Sequence, residues 1–325
     1  MKSKYRIKKP FYKQAFPMTI FILLTLYVIS FLLPFSWALF KSFNSYELYQ
    51  ASIKIYDNDE LSAKLIKALG LPIAFGKLKE GFTFDNYLIS LNFLQVTTPT
   101  GKADILRLFF NSFVYAIGVT VASTMTQAIC SYIVARYSSH KIAAMLYPVV
   151  IFVMILPIVG NLPSELQIMR DLGIYDRVWG LFIMRITFGG TNFLIFYATF
   201  KGISWEYAEA AFIDGASHST VMWQIMMPLA AGATGALMLI AFITNWNDWQ
   251  VNVKYLPTTW PMLSYSLYRF RSVGAFYEKF NGIWRSNDIT VQMAASLMIA
   301  IPLVILFITF RKKIMNNLTM GGLKG

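Results

Sequence analysis

The chain has 325 residues, of which 56% are hydrophobic and 14% charged; soluble domains carry roughly 25% charged residues, so a soluble globular fold is excluded. Its net charge of +13 raises nucleic acid as a partner, but the basic residues flank apolar runs, where membrane topology accounts for them without one. The single cysteine, Cys130, forms no intramolecular disulfide, and neither His140 nor His218 belongs to a cluster with metal-site spacing.

In chain order, residues 1–15 form a basic tail containing Lys2, Lys4, Arg6, Lys8, Lys9 and Lys13, and residues 16–40 carry no charge. That run exceeds the short apolar core of a signal peptide, and no small-residue cleavage site follows, so it reads as a retained first span. Residues 41–107 form a long extracytoplasmic loop of mixed charge. Residues 108–310 hold five further runs: between Arg107 and Arg136, between Lys141 and Glu165, over about 178–200 with Arg185 inside, between Asp214 and Asp248, and between Asp288 and Arg311. Each supplies about the ~20 apolar residues that a spanning helix needs, whereas barrel strands are shorter and alternate. Pro34, Pro157 and Pro302 fall inside these runs, where neighbouring helices can cover a freed carbonyl. The expected fold is an all-α integral membrane protein with six transmembrane helices and a basic tail at 311–325.

Charge orients the spans. The tail at 1–15, the Arg136–Lys141 link and the C-terminal Arg311, Lys312, Lys313 and Lys324 share one side and are basic. The positive-inside rule places that side, with both termini, in the cytoplasm. The connection at 201–214 falls on the same side, yet it holds Lys201 against Glu206, Glu209 and Asp214. Topology does not account for that composition.

The segment at 204–228 reads SWEYAEAAFIDGASHSTVMWQIMMP. Ser204 is a good N-cap, with Glu206 and Glu209 near the positive end of a short helix. Ala208, Ala211 and Phe212 share one face at helical spacing, Asp214-Gly215 makes a turn, and Ser217 caps a second helix that enters the membrane near Pro228. The small residues let another protein's backbone approach closely. This segment resembles the EAA loop of ABC-importer permeases, EAA-x3-G-x9-I-x-L-P, through Glu209, Ala210, Ala211, Gly215, Ile225 and Pro228; Met227 replaces the leucine. Gly81–Tyr87, Leu172–Asp176, Ala211–Ser217, Trp246-Asn247-Asp248-Trp249 and the Gly-rich tail at 318–325 resemble stretches of carbohydrate permeases of the maltose-transporter type. The stretches 41–80 and about 259–288 match nothing in that pattern and look like insertions.

The resemblance implies a type I ABC importer permease for sugars, such as oligosaccharides, that forms half of the translocation pathway. It implies a second permease subunit, two copies of a cytoplasmic ABC ATPase, an extracellular sugar-binding protein and a bilayer as partners. The helix carrying Glu209, Ala210, Ala211, Asp214 and Gly215 would dock on the ATPase. ATP and Mg would bind that ATPase, since no G-x-x-x-x-G-K-[ST] loop exists here, so this chain is expected to bind no cofactor and to be no enzyme. Trp246, Asn247, Asp248 and Trp249 are pathway candidates, because sugars take aromatic faces and a few polar groups; an interfacial aromatic belt is the alternative. Asn192, with Thr191 and Thr244, faces either the pathway or a neighbouring helix. Arg185 has three readings: substrate contact, snorkelling, or pairing with Asp176. Trp260, Tyr265, Tyr268, Phe276, Tyr277 and Trp284 suit a gate, a binding-protein contact or plain packing. Among rivals, an amino-acid or peptide ABC permease is nearest, an ion-coupled transporter leaves the EAA-like loop unexplained, and a membrane enzyme lacks a catalytic constellation.

Overall fold

The computed structural model describes residues 11–45, 81–156, 160–272, 277–280, 283–286 and 288–320. The chain divides into two units, one of residues 1–93 with 275–298, the other of 94–274 with 299–325.

In the first unit, α1 (Phe11–Ser42) is apolar all round, and residues 17–36 are exposed. Such a helix suits lipid rather than a one-sided core. α2 (Asp85–Phe93) follows the Gly81–Tyr87 stretch and clasps the end of α1: Asn86 Nδ2 donates to the Ser42 and Asn44 carbonyls at 2.9 and 2.8 Å. Tyr87 and Ser42 share a 2.8 Å hydroxyl bond, and Phe43 stacks on Phe82. Tyr277–Phe280 pairs antiparallel with Ile283–Ser286 in the stretch 259–288. The part of the other unmatched stretch at 46–80 lies outside the described residues.

In the second unit, a short hairpin, β1 (Val96–Thr98) and β2 (Gly101–Ala103), leads into α3 (Ile105–Arg136). Asp104 caps α3 by accepting the Arg107 N–H at 3.0 Å. α3 is the central post, packed against most of the unit's other helices. There follow α4 (Lys141–Ile155), α5 (Leu162–Asp171), α6 (Val178–Arg185), α7 (Thr191–Gly202), α8 (Glu206–Ile213) and α9 (His218–Leu229). The last of these contains a π-helical turn at Val221–Met226. α10 (Ala231–Asn247), α11 (Gln250–Lys254) and α12 (Leu263–Ser272) complete this stretch, and α13 (Ile289–Met320) starts in the first unit and ends in the second.

Among the described residues three helices are long and apolar enough to cross a membrane: Pro17–Ser42, Ile105–Arg136 and Ile289–Thr309. They coincide with the expected first, second and sixth spans. α9 and α10 are long and apolar enough only when taken as a pair, and the pair is bent by 74° at Ala230, two residues past Pro228. The expected third span is a 15-residue helix that ends before residues 157–159, which lie outside the described residues and include Pro157.

The run at 178–200 is not one continuous helix. It breaks between Arg185 and Thr191, across the pair Gly189-Gly190. A broken helix in lipid needs partners for its freed backbone groups. Gln127, buried on α3, supplies them: its Nε2 donates to the Gly189 carbonyl at 3.0 Å and to Thr187 Oγ1 at 2.8 Å.

Candidate functional site

Two sets of predicted residues fall at different places on the second unit. The first is α8 with its turn. Ser204 Oγ accepts the Glu206 N–H at 3.3 Å, as a cap does, although helical geometry begins after Trp205. At the other end the Ala216 N–H reaches the Ala211 carbonyl at 2.9 Å, and the Gly215 N–H reaches the Phe212 carbonyl at 3.0 Å. That pair of bonds is a Schellman cap, and it requires the φ of +83° that Gly215 adopts. Ser217 then caps α9 by accepting the Thr220 N–H at 3.1 Å. The Leu172–Asp176 stretch closes α5 in the same way, through Gly173 at φ +66° and an Ile174 N–H to Met169 carbonyl bond of 2.9 Å. Two family-like motifs therefore encode the same cap.

The faces of α8 divide as the spacing predicts. Ala208 is buried, and Ala211 and Phe212 pack beside it in a cluster with Tyr132, Phe200 and Val221. Glu206, Tyr207, Glu209, Ala210, Ile213, Asp214 and Gly215 are exposed, with Ile213 86% exposed. Sequence reasoning gave His218 no company, but here its Nδ1 lies 2.8 Å from Tyr137 Oη and its ring 4.8 Å from that of Phe212. Tyr137 meets Trp205 edge-on, and Arg136 lies over the Trp205 ring while donating to the Ile203 carbonyl. This aromatic cluster fastens α8 to the end of α3. The signal in the sequence was the aromatic and basic residues at 136–137 and 205, which gain meaning only once the chain folds them together.

The second set lies where α10 ends. Trp246 is 2% exposed, packed on Phe109 and Phe242 with its Nε1 3.4 Å from the Ile299 carbonyl, so it faces packed side chains. Asn247 is exposed, and Trp249 stacks on Tyr268 at 3.9 Å. Arg185 pairs with Asp248 at 3.5 Å and lies over the Tyr255 ring. It does not pair with Asp176, whose carboxylate accepts the Thr258 and Thr259 N–H groups at 3.2 Å each. Tyr255, outside the spans, is held above its usual range by burial and by Glu165, to whose carboxylate it donates at 3.1 Å. Asn192 is half-buried in the first turn of α7, apart from this group, and Thr244 bonds within its own helix. Trp260 donates to the Asn111 carbonyl, a packing contact. Phe276 lies outside the described residues.

Comparison with known proteins gives one family match and a set of relatives. Residues 127–317 match the family described as binding-protein-dependent transport system inner membrane component. The chain is 25% identical over 224 residues to the trehalose transport system permease protein of Mycobacterium tuberculosis, covering 67% of this chain and 78% of that one. It is 27% identical to the sulfoquinovosyl glycerol transport system permease of Agrobacterium fabrum, covering 68% and 74% of the two chains. It is 22% identical to the arabinooligosaccharides transport system permease of Bacillus subtilis, covering 75% and 79%. In structure it resembles a chain of a bacterial ABC transporter involved in the import of the acidic polysaccharide alginate. That match has a TM-score of 0.71 and 21% identity, and it covers 94% of this chain and 98% of that one.

Proposed function

The chain belongs to the binding-protein-dependent transport system inner membrane components, and we propose that it is the permease subunit of an ATP-driven saccharide importer. The observation that carries this reading is the exposed face of α8, held out by a Schellman turn and backed by a buried aromatic cluster. In this reading the chain crosses the bacterial cell membrane six times with both termini in the cytoplasm, the shorter and broken helices completing the crossings. It assembles with a second permease subunit, two ATPase subunits that bind ATP and Mg, and an extracellular binding protein. Glu209, Ala210, Ala211, Asp214 and Gly215 form the ATPase-facing turn: acids and small residues outward, anchors inward. ATP-driven closure of the ATPase pair moves α8, and α8 moves α3 and the bent α9–α10 pair. Asn247, Asp248, Trp249, Arg185 and Asn192 belong to the pathway side, and the buried Trp246 anchors the end of α10. Relatives named for trehalose, sulfoquinovosyl glycerol and arabinooligosaccharides support a saccharide cargo.

The test is saccharide-stimulated ATP hydrolysis by the complete transporter in proteoliposomes. Glu209→Ala is expected to lower stimulation about tenfold, equivalent to ~1.4 kcal/mol of docking free energy. Gly215→Pro, which removes the N–H that caps α8, should abolish it. Wild-type hydrolysis by both variants would sink the coupling role of this turn.

A further inference from the structure

Beside the buried Trp246 lies a groove of about 500 Å³ that the coupling turn does not use, lined by Asn247, Trp249, Ser264, Tyr268 and Arg271 among others. Three of these come from α12. Trp249 and Tyr268 stack with their planes 10° apart, giving a rigid aromatic plate. Asn247 spends its Nδ2 on the Ile243 carbonyl at 2.9 Å and keeps its carbonyl oxygen for a donor. Arg271, exposed in the last turn of α12, meets no carboxylate among the described residues. The nearby acid, Asp248, is taken by Arg185.

We infer that this groove is a saccharide subsite for sugars bearing an anionic group, such as a uronate, sulfonate or phosphate. The inference rests on the permease reading and adds the substrate class. The plate takes the apolar face of a sugar ring, the Asn247 carbonyl oxygen takes a ring hydroxyl, and the Arg271 fork takes the anion.

The test uses the complete transporter of both permease subunits and ATPases in nanodiscs. It is titrated with a galacturonic acid trimer or with maltotriose while tryptophan fluorescence is followed. The uronate trimer is expected to give a saturable change that vanishes in Trp249→Phe. Arg271→Gln should weaken the uronate trimer about tenfold, the loss of one charge-assisted contact, and leave maltotriose unchanged. Arg271→Lys, which keeps the charge, should retain part of the difference and shows that the fold survives. Equal binding of both trimers, or an Arg271→Gln variant with unchanged preference, overturns the subsite. The same preparation, given its binding protein, separates the two readings. Saccharide-stimulated hydrolysis without groove binding removes the subsite alone. Hydrolysis that no saccharide stimulates removes the permease reading and the subsite with it.

Discussion

Tyr137 and His218 stand 81 positions apart and meet through one 2.8 Å bond at the base of α8. Removing that bond while keeping the rings isolates its contribution. Tyr137→Phe preserves the edge-on contacts with Trp205 and His218 and is expected to cost about 0.5–1.5 kcal/mol in local stability. Hydrogen exchange across 206–216 should rise accordingly, and a double-mutant cycle with His218→Phe should give a coupling of similar size. Independent, additive effects would mean that α8 is fastened by ring packing alone. At this scale the sequence was legible where a residue acts on its own backbone. Asp214-Gly215 as a turn, Ser217 as a cap and the inward set Ala208, Ala211 and Phe212 all follow from local rules. It was illegible where a side chain acts at a distance. His218 read as solitary, Trp246 as a candidate for the pathway, and Arg185 as a possible partner of Asp176 rather than Asp248.

At the scale of elements, charge-free runs located apolar helices but not their breaks. The uninterrupted helices at Pro17–Ser42, Ile105–Arg136 and Ile289–Thr309 were legible because length and hydropathy alone define them. The break at 186–190 depends on Gln127 from another helix, although the Gly189-Gly190 pair inside an apolar run was a usable signal. The 74° bend at Ala230 has a local origin instead. Proline at 228 disfavours a regular turn before it, and the π-helical turn at Val221–Met226 relaxes that crowding by a wider bond, Met227 N–H to Met222 carbonyl. If Gln127 holds the first break open, Gln127→Leu leaves the Gly189 carbonyl short of a donor, a loss of about 1–3 kcal/mol. The thermal midpoint of the assembled transporter in detergent should fall by a few degrees, and cross-linking between α6 and α7 should show the break straightening. An unchanged midpoint would mean that other contacts hold it.

For the whole molecule, the pattern of basic tails and apolar runs foretold a membrane protein because bilayer insertion acts on gross composition. It left open which surfaces face lipid and which face another subunit. One surface of the second unit bears on this: an apolar cavity of about 570 Å³ bounded by parts of α3, the α9–α10 bend and Leu306. Gly235, on the exposed side of α10, borders it, and a Cβ there would meet nothing within 4 Å. Among the described residues, therefore, packing does not require glycine at 235. It carries the ordinary helix-interior penalty of roughly 0.8–1 kcal/mol relative to alanine. A residue that weakens its own helix and touches nothing is best explained by what passes or packs beside it in the assembly. Gly235→Leu is then expected to raise the thermal midpoint of this subunit purified alone, because the helix gains propensity and the side chain has room. The same change should lower transport by the complete complex, by blocking either the pathway or the approach of the second permease subunit proposed above. Co-purification with that subunit separates the two: lost association places Gly235 at the subunit contact, and intact association with lost transport places it on the pathway. Transport at the wild-type rate would mean that this surface of α10 faces only lipid, and the half-pathway would then have to be sought on another face of the chain.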